Sequence, residues 1–167
     1  DASAGLVAPS PAGQPDGTGG IRAAGSRTAA RGVYASVFSI SDTCTVGAGI
    51  YILQAGFAVG AGAVVTTAAA GVLIYITGGA FTVGGGASIA LTAQSVGTYA
   101  GLAVWQSAAD SSTISFSGGG ALSFNGAIYA PSAALSIAGN SQTPIATSIV
   151  VQTLTITGTG GLAIGGS

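Results

Sequence analysis

The sequence has no lysine, glutamate, histidine or methionine, and charged residues make up 4% of its 167 positions. An ordinary globular protein carries about 25% charged residues. General acid–base catalysis needs neighbouring titratable groups whose pKa values are driven apart. After position 32 the only charged residues are Asp42 and Asp110, which are too isolated in the sequence to suggest such a pair. The sequence therefore predicts a protein that is not an enzyme.

The same absences argue against cofactors and nucleic acid. Zinc sites need clustered histidine and cysteine, and calcium sites need several carboxylates. Binding to nucleic acid needs a basic surface that neutralises phosphates, whereas this chain has three arginines and a net charge of −1. We expect no metal, no cofactor, no nucleic acid and no small-molecule substrate.

Cys44 is the only cysteine, so no disulfide can form within the chain. We expect it to be a small buried apolar residue. A disulfide between two chains in an oxidising compartment is the alternative.

The chain divides into two regions by composition. Residues 1–32 are rich in Gly, Ala, Pro and Ser, lack apolar periodicity and contain five of the seven charged side chains. This composition predicts an extended arm, held either by its own body or by a neighbouring subunit. Residues 33–167 form the body, in which short apolar segments alternate with glycines.

Three types of short strand recur along the body at intervals of roughly 20–30 residues. The first type covers 50–53, 73–76, 103–106, 127–130 and 148–151. The second covers 57–59, 81–83, 114–116, 135–137 and 154–156, and the third covers 63–65, 89–91, 122–124 and 162–164. This repeat predicts an all-β protein, a β-solenoid (β-helix) of about five to six three-stranded turns with an extended N-terminal arm.

Alternation within the strands predicts which side chains point inward. Phe81 and Val83 should enter the core while Thr82 faces solvent. Glycine pairs between the strands should form the corners.

Two sets of residues are candidate assembly contacts. The ends of a solenoid expose unpaired strand edges; we assign Val33 and Tyr34 to one end and Leu162 and Ile164 to the other. Four aromatic residues of the first strand type should lie at comparable positions on successive turns: Tyr51, Tyr75, Trp105 and Tyr129. The sequence leaves open whether this ladder points inward or outward.

Several segments of the body match a known family in order and approximate spacing. They are 32–34, 44–52, 71–78, 86–93, 99–106 and 125–131. These segments resemble the glycine-rich β-helical region of TadG-like, Tad pilus-assembly-related bacterial surface proteins. The resemblance implies an extracellular, surface-associated β-helix without known catalytic residues.

We expect a secreted structural subunit of an extracellular filament or cell-surface assembly. Its partner would be further copies of itself, stacked end to end with the arm on a neighbour, and the cell envelope is a candidate second partner. Two alternatives remain. An outward Ser/Thr column on the second strand type favours ice binding, and the aromatic residues favour a carbohydrate-binding surface adhesin.

Overall fold

The computed structural model describes residues 5–15, 27–117, 119–139, 144–146, 148–158 and 163–164. The described elements are all strands, and they wind into a parallel β-solenoid of about six coils. The fold predicted from the repeat is therefore confirmed. No helix long and apolar enough to cross a membrane occurs within these ranges.

Each coil contributes two or three strands. Coil 1 contains β1 (Arg27–Ala29), β2 (Gly32–Tyr34) and β3 (Phe38–Ile40), and coil 2 contains β4 (Thr43–Val46), β5 (Gly49–Leu53) and β6 (Phe57–Val59). Coil 3 contains β7 (Val64–Thr67), β8 (Val72–Ile76) and β9 (Phe81–Val83), and coil 4 contains β10 (Ser88–Thr92), β11 (Leu102–Gln106) and β12 (Ile114–Ser117). Coil 5 contains β13 (Leu122–Asn125) and β14 (Ala127–Ala138), coil 6 contains β15 (Pro144–Ala146) and β16 (Ser148–Thr157), and β17 (Ala163–Ile164) follows.

Equivalent strands of successive coils stack into three faces. The first face contains β2, β5, β8, β11 and the first parts of β14 and β16, while the second contains β3, β6, β9, β12 and the later parts of β14 and β16. The third face contains β1, β4, β7, β10 and β13. Strand β1 lies inside the segment predicted as arm, yet it pairs with β4 and belongs to the solenoid.

A column of aromatic rings runs up the core behind the second face. Phe38, Phe57 and Phe81 occupy equivalent positions in coils 1, 2 and 3. Their ring centroids are 5.1 Å apart between the first two rings and 4.8 Å apart between the last two. All three side chains are fully buried. Since one such ring removes about 150–250 Å² from water, this column is a main source of stability.

The inward and outward assignment of the second face is confirmed. Phe81 and Val83 are buried while Thr82 between them is exposed. The register continues through Ser115 of the next coil.

The corner between the first and second faces differs in length between coils. It spans residues 54–56 in coil 2 and residues 77–80 in coil 3. Gly79 occupies the longer corner with φ +86°, a conformation that side chains with a Cβ rarely adopt. A Cβ built there would overlap the backbone of Ala55 in the coil below. Glycine at this corner therefore lets two coils approach.

We predict that Gly79→Ala destabilises the fold more than Gly62→Ala. Gly62 also has positive φ, at +73°, but a Cβ there would meet open space. Both changes should cost about 1–2 kcal/mol for the strained backbone, and Gly79→Ala about 1–3 kcal/mol more for the overlap. Urea unfolding measures both, and equal losses would contradict the close approach of the coils.

Candidate interaction surfaces

The outward side of the first face is apolar. We name its outward column the outer strip: Val33, Ile52, Tyr75, Trp105, Tyr129 and Val150. Trp105 lies 5.3 Å from Tyr75 and 6.4 Å from Tyr129, measured between ring centroids. These three aromatic residues form the predicted ladder, and it points outward.

Tyr51 does not belong to this ladder, so its predicted position is wrong. It pairs with Ile74, and Ile52 is the residue opposite Tyr75. The reason is the corner that follows the strand, which is one residue longer in coil 3 than in coil 2. A shift of one residue moves a side chain to the other side of the strand, so Tyr75 points outward where Tyr51 points inward. Tyr51 therefore points inward and is fully buried, away from any surface that a second copy could contact.

The Tyr51 hydroxyl is held inside the solenoid. It lies 2.9 Å from the carbonyl oxygen of Ala29 and 2.8 Å from that of Gly47, and these two acceptors share its single O–H. Burial raises the pKa of Tyr51, with smaller contributions from Tyr34 and Cys44. The hydroxyl thus joins coils 1 and 2 at the corner that precedes β5.

The two candidate contacts at the N-terminal end point in opposite directions. Val33 lies on the outer strip, partly buried, and its N–H donates to the carbonyl of Pro15 over 3.0 Å. Tyr34 points inward, is 6% exposed, and donates from its hydroxyl to the carbonyl of Ala30. Burial raises the pKa of Tyr34.

The described part of the arm, residues 5–15, covers part of the outer strip, between Val33 and Trp105. Leu6 packs against the apolar cluster that contains Tyr75 and Trp105. The Tyr99 hydroxyl, from the loop before β11, donates to the carbonyl of Val7 over 2.9 Å. Pro9 is buried. Of the two alternatives for what holds the arm, the structure places these residues on the chain's own body.

A sequence signal for this cover exists in the first-face strands. Strand β8 is apolar at every position, and all five of its side chains are buried. A strand buried on both sides has a continuous apolar run, whereas a strand with one wet side alternates. The second-face strand β9 does alternate. The unbroken runs therefore indicate that something covers the first face.

Strand β16 has one edge without a strand partner among the described residues. Its other edge pairs with β14. Leu154 and Ile156 continue the inward columns of Leu135 and Ile137, yet they are 42% and 39% exposed. Apolar side chains that point towards the core are therefore exposed to solvent at this end of the solenoid.

The predicted C-terminal contacts lie close to this edge. Leu162 falls outside the described residues. Ile164 lies in β17, opposite Ala146 of β15. Sequence analysis assigned the open end to these residues and missed Leu154 and Ile156, which it treated as core because their pattern repeats that of earlier coils.

A buried polar pair occupies one corner of coil 4. Gln106 replaces the apolar residues that its column has in neighbouring coils, such as Ile76. Its Nε2 donates to the carbonyls of Asp110, over 3.1 Å, and Ser112, over 2.8 Å. Asp110 in turn accepts at Oδ1 from the N–H of Ser112 over 2.9 Å. Gln106 thus satisfies two backbone carbonyls of the turn between β11 and β12, and Asp110 satisfies one backbone N–H of the same turn, which is a structural role.

The Cys44 thiol is buried in the core, as expected from the sequence. Cys44 is 1% exposed on β4, and burial raises its pKa. The prediction of a small buried residue is confirmed. Across the described ranges, no three His, Cys, Asp or Glu side chains are grouped where they could bind a metal ion.

The outward column of the second face is rich in hydroxyl groups. Its members are Ser39, Ala58, Thr82, Ser115, Ser136 and Thr155. On the third face, the hydroxyls of Thr45 and Thr66 lie 3.2 Å apart and share a hydrogen bond. Both outer surfaces thus carry hydroxyl groups, and the third face also exposes Val64 on β7.

The chain belongs to a family of proteins described as a domain of unknown function, DUF7305, whose model matches residues 19–164. Comparison with curated proteins and with solved structures gave no match. The family match covers most of the solenoid and carries no functional assignment.

We predict that stability falls above pH 10 and that Tyr51 is one source of the fall. The pKa of Tyr51 is raised above its ordinary value of 10.0 in the folded chain. The unfolded chain therefore releases this proton first, and the free energy of unfolding decreases as pH rises past 10. Tyr51→Phe should remove this contribution while costing about 1–2 kcal/mol at neutral pH.

The control is Tyr129→Phe on the outer strip. Unfolding measured at pH 7 to 11 should show a shallower alkaline decrease for Tyr51→Phe than for Tyr129→Phe. Identical pH profiles for the two variants would contradict the role assigned to the buried hydroxyl.

Proposed function

We propose that this protein is a structural subunit that assembles end to end into an extracellular filament or surface layer. The observation that carries the proposal is the open edge of β16, where Leu154 and Ile156 are exposed although they continue the core columns. A second copy placed on this edge would cover both side chains. Its coil 1 offers strands β2 and β3, which end the ten-stranded sheet on the opposite side.

Backbone pairing supports the same arrangement. Strand edges with free N–H and C=O groups are templates for another chain, and addition of a strand to a sheet edge is a common mode of recognition. Coil 1 also exposes Val37, which is 51% exposed immediately before β3. Among the described residues, the outer edges of β16 and β3 have no strand partner, whereas the edge of β2 is bonded at Val33 to Pro15 of the arm.

The small number of charges removes the usual barrier to self-association. Soluble monomers keep their surfaces charged and so avoid association, whereas this chain has a net charge of −1 and 4% charged residues. Little electrostatic repulsion opposes contact between copies. The partner in this proposal is therefore the chain itself.

Two further points support an extracellular setting without catalysis. The resemblance inferred from the sequence, to the β-helical region of TadG-like surface proteins, implies such a setting, and the sequence lacks the grouped acids and bases that an enzyme uses. The proposed protein binds neither nucleic acid nor a small-molecule substrate, and the cell envelope is the surface on which it would assemble.

Ice binding is a second candidate, favoured by the aligned hydroxyl column of the second face. Thr82, Ser115 and Ser136 follow one another in register on successive coils, at steps of about 4.8 Å. Ice binding should appear as thermal hysteresis and shaped ice crystals, and Thr82→Lys should reduce both. Freezing at the equilibrium point without crystal shaping would dismiss this candidate.

We predict that Ile156→Arg abolishes end-to-end assembly while Thr155→Arg preserves it. Residue 156 lies in the open core column, so a charge there would be buried by a stacked copy at a cost of several kcal/mol. Thr155, its neighbour on β16, points outward and is exposed. Both arginines could reach solvent in the monomer, which keeps the two variants comparable.

Electron microscopy and light scattering after size exclusion measure the assembly, and thermal unfolding checks that each variant folds. The wild-type chain should form filaments or large particles, the Ile156→Arg variant should remain a monomer, and the Thr155→Arg variant should resemble the wild type. A wild-type chain that remains monomeric at high concentration would refute the proposed function.

A further inference from the structure

A recess lies at the corner between the third and first faces, where the coils turn with loops of very different length. This corner comprises residues 68–71 in coil 3, residues 93–101 in coil 4 and Gly126 alone in coil 5. The long loop of coil 4 therefore lies next to a coil that turns without a loop. Between them is a cavity of about 330 Å³, which we name the corner notch, and its lining includes Ala69, Thr92, Gln94, Ser95, Gly101 and Asn125.

The floor of the corner notch is fixed by close contact between coils 4 and 5. A Cβ at Gly126 would lie 2.6 Å from the Cβ of Ala93, so glycine lets coil 5 turn tightly against coil 4. The N–H of Ala93 donates to the carbonyl of Asn125 over 2.8 Å, and the N–H of Ala127 donates to that of Gly101 over 2.8 Å. These bonds hold both sides of the notch in one position.

The loop of coil 4 is also held in place. The N–H of Gly101 donates to the carbonyl of Gln94 over 2.8 Å and so closes the base of the loop. The N–H of Leu102 donates to the carbonyl of Tyr99 over 3.1 Å, and the Tyr99 hydroxyl is bonded to Val7 of the arm. The wall of the notch is therefore formed before a ligand arrives, which avoids the entropy cost of ordering a loop.

The corner notch is polar without being charged. Thr92, Gln94, Ser95 and Asn125 supply hydroxyl and amide groups, and Ala69 adds a small apolar area. Within the described part of the chain, no hydrogen bond engages the side-chain polar atoms of Gln94, Ser95 or Asn125. Amides and hydroxyls both donate and accept, so these groups are open to a ligand that does the same.

We propose that the corner notch binds one neutral sugar residue of a glycan. Each sugar hydroxyl donates and accepts, which matches the amides of Gln94 and Asn125, and the ring C–H groups suit the methyl group of Ala69. A charged sugar would lose water without finding an opposite charge. The cavity volume is near the lower end of the range for small-molecule sites, which suits a ligand as small as one sugar ring.

This site differs from the carbohydrate site that the sequence suggests, which is the aromatic ladder. Trp105 of that ladder is 8% exposed, and Leu6 of the arm packs against its cluster. The corner notch instead uses polar side chains of corner residues and of strand ends. Its sequence signal is the difference in length between the loop 93–101 and the single residue Gly126.

The proposal does not depend on assembly of the chain. The corner notch lies on the side of the solenoid, at coils 3 to 5, and not at the open edge of β16. A copy stacked on β16 would leave the notch open. A filament would then display one notch per subunit, and its binding to a polysaccharide would be multivalent.

Saturation-transfer NMR on the full chain tests the proposal, because it detects weak ligands of a monomer and of an assembly alike. The probes are glucose, galactose, mannose and N-acetylglucosamine, compared with the charged sugars glucuronate and glucosamine and with a neutral dipeptide amide of similar size. At least one neutral sugar should bind with a Kd of about 1 mM, as expected for a ligand of about a dozen non-hydrogen atoms. The charged sugars should bind about tenfold more weakly.

Variants assign the signal to the corner notch. Asn125→Ala and Gln94→Ala should each weaken binding about fivefold through the loss of one hydrogen bond, whereas Gln54→Ala, at an exposed corner of coil 2, should not. Ala69→Phe should abolish binding because the ring fills the notch. Ala70→Phe places the same ring at the next exposed position of the turn, outside the notch, and should preserve binding.

A sugar signal that survives Ala69→Phe would overturn the proposal, since the sugar would then bind elsewhere. The absence of binding by every neutral sugar, or equal binding of glucuronate, would also overturn it. Tighter binding of the dipeptide amide would do the same and would make the notch a peptide site. If thermal unfolding shows that Ala69→Phe does not fold, Asn125→Ala and Gln94→Ala decide. None of these outcomes bears on end-to-end assembly, which microscopy measures separately.

Discussion

The structure depends on the vertical stacking of identical side-chain positions from coil to coil. Each coil of a solenoid buries its apolar residues mainly against the coils above and below. Phe38, Phe57 and Phe81 show this in the core, where each ring contacts the next at about 5 Å. A break in register at one coil would expose side chains in its neighbours. The corners therefore absorb differences in length, as Gly79 permits in coil 3, and β11 takes up one further residue by a register shift between Leu102 and Val104.

A second apolar surface distinguishes the first face from the other two. Strands β8 and β11 of this face are buried at every position, with the core on the inner side and Leu6 of the arm and Tyr99 packed against the outer side. The outward columns of the second and third faces contain many Ser and Thr side chains, with Val64 as an exposed apolar exception. The low charge of the sequence is consistent with a surface that copies of the chain cover.

The solenoid and the alternation of strands such as β9 could be predicted from the sequence. In β9 the apolar, polar, apolar order of three residues already shows the alternation of inward and outward side chains. Sequence reasoning failed at Tyr51 for a physical reason. Tyr51 and Tyr75 are as far apart in sequence as Phe57 and Phe81, but the corner after β8 is one residue longer than the corner after β5, and the strand pattern does not reveal the length of a corner. The docking of the arm was also out of reach, since contacts to the carbonyls of Val7 and Pro15 leave no pattern in side chains.

The two ends of the solenoid differ, and this difference determines the kind of assembly that stacking would produce. Inward side chains of coil 1, such as Phe38 and Ile40, are buried, while Leu154 and Ile156 of coil 6 are open. Two coil 6 ends facing each other would cover these residues but reverse the strand direction, whereas coil 1 placed on coil 6 preserves the parallel pairing found throughout. A contact between unlike ends adds subunits without limit, unless the rotation from one subunit to the next closes the assembly into a ring. If copies stack as proposed, the product is therefore a polar filament, in which every subunit has the same orientation.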